Sequence, residues 1–184
     1  MYKVCLLLGS NLDFRIDGKV LSSRQLIEKA DIQLIEELLP DYLEVADLNE
    51  AVCTSSIMQT KPWGTFSEPV QDFFNQVFEC VTDKTPEEIL NICQAIEGRL
   101  GRVRSKDTQT APNGERIYES RTIDIDMLLI FEGVESDKGA AASQNIRKWK
   151  QVSINSVNLR VPHPKLCERE FAQKLLAEIG EKWK

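Results

Sequence analysis

Two aspartates spaced two residues apart are the first feature of this sequence that could do chemistry. Asp124 and Asp126 open an apolar run, 124–131, that is typical of a β-strand. Side chains two positions apart on a strand point to the same face, about 6.6 Å apart along the chain, and two carboxylates on one face repel each other unless a cation lies between them. Oxygen ligands on a strand suit Mg²⁺, which completes its shell with water and phosphate oxygens. The aspartate pair alone does not establish a metal site, because an exposed strand end or a pair of loop caps gives the same pattern.

Arginines are concentrated just before this pair in the chain. Residues 99–121 contain six Lys and Arg residues against three Asp and Glu residues, a local charge of +3, whereas the whole chain carries −6. The planar fork of arginine matches phosphate oxygens. Arg102 and Arg104 follow a predicted helix and Arg121 directly precedes the strand. Aspartates and arginines together favour phosphoryl chemistry, although a solvated basic loop would have the same composition.

Three residues are candidates for holding a flat organic ligand. Asn75 is predicted to share a strand face with Phe73, a position where a core would favour an apolar side chain. It could hydrogen-bond a turn, or it could pair with the edge of a heterocycle. Phe73 and Phe171 could likewise be core residues or plates that stack on a ring.

Three further polar residues have structural alternatives of their own. Gln94 and Glu97 are three residues apart on a predicted helix, on the side away from an isoleucine stripe. That position also fits an ordinary solvated helix face. His163 lies between Pro162 and Pro164, so it cannot be part of a helix, and a lone loop histidine often has only a structural role.

Hydrophobic periodicity and turn residues predict the elements that must position these side chains. Strands are expected at 4–8, 43–56, 73–81 and 124–131, with a weaker one at 152–160. Helices are expected at 22–39, 85–100 and 168–179, the first two opened by the capping-box patterns Ser22 to Gln25 and Thr85 to Glu88. The alternation in the fourth strand places Ile125, Met127 and Leu129 towards the core.

This order predicts a single α+β domain, 1–184, with a ferredoxin-like sandwich fold. We expect a mostly antiparallel sheet with helices packed on one face and the other face left for a ligand. The segments 61–72 and 102–121 are long loops of a kind that often serve as lids. Residues 133–151 are loose in composition and are expected to be a surface insertion, and 161–164 a turn.

Composition restricts the cellular setting. The chain of 184 residues is 42% hydrophobic and 28% charged, and no apolar run approaches the roughly 18–20 residues of a membrane span. The net charge of −6 gives no reason to expect nucleic-acid or membrane binding. Five cysteines without a CxxC pair and a single histidine argue against a zinc site. With no export signal, we expect reduced thiols in a cytoplasmic protein, four of them buried.

Together these motifs resemble the 6-hydroxymethyl-7,8-dihydropterin pyrophosphokinase family of folate biosynthesis. Seven blocks occur in the order found in the family: Leu8-Gly9-Ser10-Asn11-Leu12, Thr60-x-Pro62-Trp63-Gly64, Phe73-Phe74-Asn75-Gln76-Val77, Ile96-Glu97 with Gly101-Arg102-Val103-Arg104, Arg121-Thr122-Ile123-Asp124-Ile125-Asp126, Val161-Pro162-His163-Pro164 and Glu168-Arg169-Glu170-Phe171. The combination of R-T-x-D-x-D and V-P-H-P is the most specific part of the match. The resemblance implies transfer of pyrophosphate from ATP to the hydroxymethyl group of the pterin, with release of AMP.

The resemblance also implies a role for each matching residue. Asp124 and Asp126 correspond to ligands of two Mg²⁺ ions, and Arg102, Arg121 and Asp126 to the residues that assist transfer. The ATP side corresponds to Gln94, Glu97, Arg102, Arg104, Arg121, His163 and Arg169. The pterin side corresponds to Phe73 and Phe171 as stacking rings, Asn75 as the reader of the amide edge, and the backbone near Thr60 and Trp63.

The sequence departs from the family pattern in the loop 102–121, called the arginine loop here. Glu119-Ser120 stands where members commonly have Gly-Pro, and the loop is longer. We expect an active monomer with altered lid kinetics, whose partners are ATP and the pterin and neither nucleic acid nor membrane. The rival hypotheses are a non-catalytic ferredoxin-like binding module, which would not need both aspartates and the arginines, and an RNA-binding domain, which would need exposed sheet aromatics in a basic chain.

Overall fold

The first strand of the chain is the centre of the main sheet. The computed structural model describes residues 1–39, 51–103, 110–112, 114, 116–134 and 148–180. Its strands are β1 (Tyr2–Ser10), β2 (Phe14–Ile16), β3 (Lys19–Leu21), β4 (Val52–Thr54), β5 (Met58–Thr60), β6 (Thr65–Phe66), β7 (Phe73–Thr82), β8 (Ile117–Tyr118), β9 (Asp124–Val134), β10 (Lys148–Gln151), β11 (Ile154–Asn155) and β12 (Arg160–Val161). The helices are α1 (Ser23–Leu38), α2 (Pro86–Arg99) and α3 (Glu170–Ile179), the last preceded by a 3₁₀ turn (Leu166–Glu168).

The main sheet has the strand order β10-β9-β1-β7-β4, with β5 also paired to β7, and every pairing is antiparallel. This confirms the predicted α+β class with a mostly antiparallel sheet, and the three helices pack on that sheet. Eight of the nine residues of β1 are buried, as a central strand covered on both faces requires. None of the described helices combines the length and the apolarity needed to cross a membrane.

Both predicted capping boxes are present. Ser22 accepts a hydrogen bond from the backbone N–H of Gln25, whose side chain accepts from the Ser22 N–H. Thr85 and Glu88 form the same reciprocal pair at the start of α2, with Pro86 at the first helical position. These local bonds satisfy N–H groups that have no partner within the helix, which explains why the two helix starts could be predicted from sequence.

The prediction that helices cover only one face of the sheet is wrong. α1 and α2 pack on one face over Val4, Leu6 and Phe78. α3 packs on the opposite face, where its apolar stripe of Ala172, Leu175 and Ile179 meets Cys5, Leu7 and Val77. Because β1 is apolar on both sides, both sides need cover, and α3 leaves only one end of its face open.

A β-bulge corrects the predicted orientation of Leu129. Cys5 pairs with Leu129 and Leu6 with Met127, so Leu128 is an extra residue in β9. Ile125 and Met127 face the α1–α2 core as predicted, whereas Leu129 packs on the α3 face. Strict alternation therefore holds only up to Met127.

The less regular segments differ from prediction in several places. The predicted strand 43–56 is represented by β4, and residues 40–50 lie outside the described part of the chain. β2 and β3 form a hairpin that was not predicted. Each long loop contains a two-residue strand, β6 and β8, which pair in parallel. Residues 135–147 of the expected insertion are outside the described residues, and its end forms the edge strand β10. The weak strand 152–160 is the small β11–β12 ribbon.

Candidate active site

Asp124 and Asp126 in β9 lie next to Gly9 of β1, a strand position without a side chain. Asp124 is the cross-strand partner of Gly9, and Asp126 that of Leu7. A Cβ atom on Gly9 would lie 3.2 Å from the amide oxygen of Asn75 on the next strand, so a larger residue here would press on Asn75. The glycine therefore keeps an open floor between the carboxylates of β9 and the side chains of β7.

Asp124 is held by two arginines from different parts of the chain. Arg102, just after α2, contacts one carboxylate oxygen, and Arg121 contacts the other. The three side chains are only 13–17% exposed, so each charge is shielded from water and depends on its neighbours. Burial and the nearby guanidinium of Arg102 lower the pKa of Arg121 to about 10, which leaves it protonated at neutral pH.

Glu97 supports this cluster from behind. Its carboxylate is 1% exposed, accepts a hydrogen bond from the Ile125 backbone N–H at 2.8 Å and pairs with Arg102 at 2.7 Å. The alternative that Glu97 belongs to a solvated helix face is therefore wrong, whereas Gln94 is exposed, as that alternative describes. Glu97 bears on any ligand through the position of Arg102.

The Gly9-Ser10-Asn11 segment fixes Arg121. The side-chain oxygen of Asn11 accepts from the Arg121 backbone N–H at 2.8 Å, and the Asn11 backbone N–H donates to the Arg121 carbonyl at 3.1 Å. Ser10 donates its hydroxyl to the carbonyl of Thr122. These bonds join segments more than one hundred residues apart and hold the start of β9 against the end of β1.

Asp126 pairs with Arg169, whose Nη1 lies 2.7 Å from a carboxylate oxygen. His163 Nε2 is 3.8 Å from the same oxygen. Its Nδ1 accepts from the Lys165 backbone N–H at 3.2 Å, a pattern that assigns the proton to Nε2. Burial raises the pKa of Asp126, but Arg169 and His163 outweigh burial and the pKa lies below its usual value. Burial lowers the pKa of His163.

An open cleft lies above these charges. Its aromatic wall is formed by Phe73, Phe171 and Trp63, together with Phe66 and Tyr118. Asn75 lies at its floor, and the Asn75 amide nitrogen donates to the Thr60 hydroxyl at 2.8 Å. Asn75 therefore hydrogen-bonds the neighbouring strand β5 and not a turn, and because it also lines the cleft, its pairing with the edge of a heterocycle stays a prediction. A site with apolar walls and a few polar groups suits a flat small molecule.

The structure brings together most of the residues that the sequence indicated. Nine of them line the cleft: Thr60, Trp63, Phe73, Asn75, Arg121, Asp124, Asp126, Arg169 and Phe171. Outside the lining, Arg102 contacts Asp124, Glu97 contacts Arg102, and His163 approaches Asp126. Gln94 is exposed and does not line the cleft, and Arg104 lies outside the described residues. The ligand roles of all of them stay predictions.

Sequence reasoning missed several cleft residues. Tyr118, Phe66 and Lys61 line the cleft and were not indicated. An aromatic residue three positions before Arg121 in an otherwise polar loop was the available signal for Tyr118. Phe66 gave no signal, because only the folded loop shows that it faces Phe73, with ring centroids 6.1 Å apart.

The donor set can be tested against Mg²⁺. Within the described ranges no three His, Cys, Asp or Glu side chains form a cluster suited to a metal ion. Asp124 and Asp126 are two carboxylates without further protein ligands. This set fits Mg²⁺, which takes one or two carboxylates and fills its shell with water and phosphate oxygens, and it does not fit a structural zinc site.

Comparison with known proteins gives a consistent match. A model of the 7,8-dihydro-6-hydroxymethylpterin-pyrophosphokinase family matches residues 5–181. The chain is 32% identical over 128 residues to 2-amino-4-hydroxy-6-hydroxymethyldihydropteridine pyrophosphokinase of Porphyromonas gingivalis, covering 68% of this chain and 67% of that protein. It is 33% identical over 125 residues to the Bacillus subtilis protein of the same name, covering 68% and 56%. It is also 32% identical over 173 residues to the folic acid synthesis protein fol1 of Pneumocystis carinii, covering 94% and 17%.

Proposed function

The chain belongs to the 7,8-dihydro-6-hydroxymethylpterin-pyrophosphokinase family, and we propose that it transfers pyrophosphate from ATP to the hydroxymethyl group of this pterin through the Asp124–Asp126 cluster. The main observation behind the proposal is that one cleft combines an aromatic surface with a charged surface. Flat aromatic walls with an amide at the floor adjoin two carboxylates and three arginines. The first surface suits a heterocycle and the second suits a metal-bound polyphosphate.

The charged surface supports binding of the triphosphate. Asp124 and Asp126 would hold Mg²⁺, which when bound supplies charge neutralisation along the phosphates. Arg102, Arg121 and Arg169 now pair with the carboxylates. They are the guanidinium groups within reach of a polyphosphate placed over those carboxylates, and their planar forks match its oxygens.

The aromatic surface supports orientation of the acceptor. Phe73 and Phe171 would pack on the faces of the pterin, and Asn75 would pair with its edge, so that the hydroxymethyl group points to the carboxylates. The hydroxyl oxygen attacks the β-phosphorus of ATP, the bond from that phosphorus to the α-phosphate oxygen breaks, and AMP leaves. Among the described cleft residues only Asp124 and Asp126 are acidic, which supports them as acceptors of the hydroxyl proton.

The direct test is a product assay. The protein is incubated with ATP, Mg²⁺ and 6-hydroxymethyl-7,8-dihydropterin, and AMP and pterin diphosphate are measured by chromatography. We expect the two products in equal amounts. Release of ADP, or the absence of any nucleotide product, would contradict the proposed reaction.

The role of Asp126 is tested with a variant of nearly unchanged shape. Asp126→Asn should lower kcat by about 10³-fold, the size expected for loss of a charged group that acts in transfer, while the thermal unfolding midpoint changes little. Asp83→Asn is the control, because Asp83 lies on the surface with its side chain 71% exposed. Wild-type turnover in Asp126→Asn would contradict the metal and catalytic roles of this residue.

The chain is further proposed to act as one domain and as a monomer in the cytoplasm. The described helices and most of the described strands pack in or against one main sheet, which supports the single domain. Gel filtration with light scattering tests the monomer, and a mass near twice 20.9 kDa would contradict it.

A further inference from the structure

Lys165 lies beside two aromatic side chains, Trp63 and Tyr118, that line one side of the cleft. Its ammonium nitrogen is 5.0 Å from the ring centroid of Trp63 and 5.7 Å from that of Tyr118. The two rings are themselves 5.8 Å apart in an edge-on arrangement. Trp63 and Tyr118 line the cleft, whereas Lys165 does not. These two rings are called the roof of the cleft here, and the ammonium lies against both of them.

These contacts continue to the charged end of the site. Arg169 lies over Trp63 at 5.1 Å and pairs with Asp126 at 2.7 Å. At the other end Arg116 lies over Tyr118 at 5.4 Å. Cations and aromatic rings thus form a continuous series of contacts along the roof. The series runs from Arg116 in the loop 102–121 to the carboxylate of Asp126.

The backbone of Lys165 is held in place independently of the roof. Its N–H donates to Nδ1 of His163 at 3.2 Å, and the N–H of His163 donates to the carbonyl of Leu128 in β9 at 2.9 Å. The base of the lysine side chain is therefore fixed to the main sheet. The two rings, in contrast, come from two separate loops.

Among the described residues, the two loops also meet through Phe66 and Tyr118, whose ring centroids lie 6.1 Å apart, and through β6 and β8. β6 and β8 contribute only two paired residues each, and a ribbon of this size has little stability of its own. Gly64 packs against the ring of Tyr118 so closely that a Cβ would lie 2.6 Å from it, which shows how the two loops fit but adds no strong bond. A cation that contacts both rings is a further link between the two loops, and such contacts gain strength where water is displaced.

Lys165 forms no ion pair within the part of the chain that the structure describes. We propose that Lys165 is a positioning residue for the acceptor, whose ammonium holds Trp63 and Tyr118 together as the roof over the bound heterocycle. The identity of that heterocycle rests on the proposed function. The alternative role, direct contact of the ammonium with phosphate, predicts a different kinetic effect and is separated from it by the experiment below.

The experiment uses Trp63 as its own reporter. Replacing the other two tryptophans, in Trp149→Phe and Trp183→Phe, leaves Trp63 as the single tryptophan of the full chain. In this background Lys165→Met removes the charge and keeps the length, Lys165→Arg keeps the charge, and Lys174→Met on the exposed side of α3 is the matched control. Acrylamide quenching of Trp63 is measured without substrates, and KM and kcat are then measured for each substrate.

We expect Lys165→Met to raise the quenching constant of Trp63 about twofold and KM for the pterin about five- to tenfold, the range that two cation–π contacts can supply. KM for ATP and kcat should stay within about twofold, since the ammonium does not touch the phosphates in this arrangement. Lys165→Arg should restore both properties, and Lys174→Met should match the parent.

Two results would overturn the inference. Unchanged quenching of Trp63 in Lys165→Met would mean that the ammonium does not hold the roof. An increase in KM for ATP in place of the pterin would mean that Lys165 is a phosphate ligand. If the parent protein forms no AMP, the proposed function fails on its own, and the quenching measurement still decides the role of Lys165.

Discussion

At the scale of single residues, Glu97 shows how one buried carboxylate positions an arginine of the site. It lies four positions after Cys93 and next to Ile96, so it falls on the buried side of α2. A buried carboxylate is tolerated only when its charge and its lone pairs are satisfied. Arg102 and the Ile125 N–H provide this, and Arg102 is thereby directed at Asp124.

We expect Glu97→Gln to destabilise the protein by about 2–3 kcal/mol, because Arg102 would lose its buried partner and an amide N–H would face a donor. kcat for pyrophosphate transfer should also fall, since Arg102 would no longer be held beside Asp124. Urea unfolding and the AMP assay measure the two effects. Glu87→Gln, an exposed change on the same helix, should cost no more than about 1 kcal/mol. Equal effects of the two changes would refute the supporting role of Glu97.

At the scale of elements, the β2–β3 hairpin controls where the arginine loop begins. α2 ends at Arg99, and Gly101 follows with φ +85°. A side chain at this position would overlap the ring of Phe14, the first residue of the hairpin. Phe14 is partly buried against the main core, so its ring cannot easily move away. The hairpin therefore fixes the backbone directly before Arg102.

The pair can be tested by a double-mutant cycle. Gly101→Ala should cost about 2–3 kcal/mol, because it combines left-handed backbone strain with overlap on Phe14. In a Phe14→Ala background the same change should cost only about 1 kcal/mol, the strain alone, so the two sites should couple by at least about 1 kcal/mol. Chemical unfolding of the four proteins measures the cycle. Additive effects would show that Phe14 does not restrict Gly101.

At the scale of the whole molecule, the main sheet separates the larger hydrophobic core from the cleft. The larger core lies on the α1–α2 face, and the cleft lies on the α3 face, where α3 leaves part of the sheet open. Arg102, Arg121 and Arg169 meet at this opening in a chain of net charge −6. A small cluster of this kind favours a compact polyanion over nucleic acid, and with the family match it removes the support for the RNA-binding and non-catalytic hypotheses.

The stability of the whole fold should depend on pH through Asp31 in α1. Burial, followed by the neighbouring Glu28, raises the pKa of Asp31 from 3.8 to about 7, and one carboxylate oxygen is buried without a hydrogen bond. Between these two values the folded protein retains a proton that the unfolded chain releases, so this group makes the fold less stable as pH rises.

Asp31→Asn removes this titration. The free energy of unfolding of this variant minus that of the wild type should increase by about 2 kcal/mol between pH 5 and pH 8. Urea unfolding at both values measures the change, with Glu36→Gln on the exposed side of the same helix as control for the loss of one negative charge. A pH-independent difference would contradict the raised pKa.

The sequence by itself determined the features that depend on near neighbours along the chain. The helix starts at Ser22 and Thr85 follow from bonds spanning three residues, and β1 follows from an unbroken apolar run. The common face of Asp124 and Asp126 follows from the two-residue repeat of a strand. The motifs indicated their chemistry, because the type and spacing of polar residues set which ligands can be held.

Only the tertiary structure decided how those parts meet. Asp124 pairs with Arg102 and Arg121, but Asp126 pairs with Arg169, forty-three residues away. Segments distant in sequence also determine the bulge at Leu128, the burial of Glu97 and the contacts of Lys165 with Trp63 and Tyr118. Local patterns carry information about hydrogen bonds and faces within one element. The charge, burial and partners of a side chain are set by the elements that pack around it, and these are chosen by the fold as a whole.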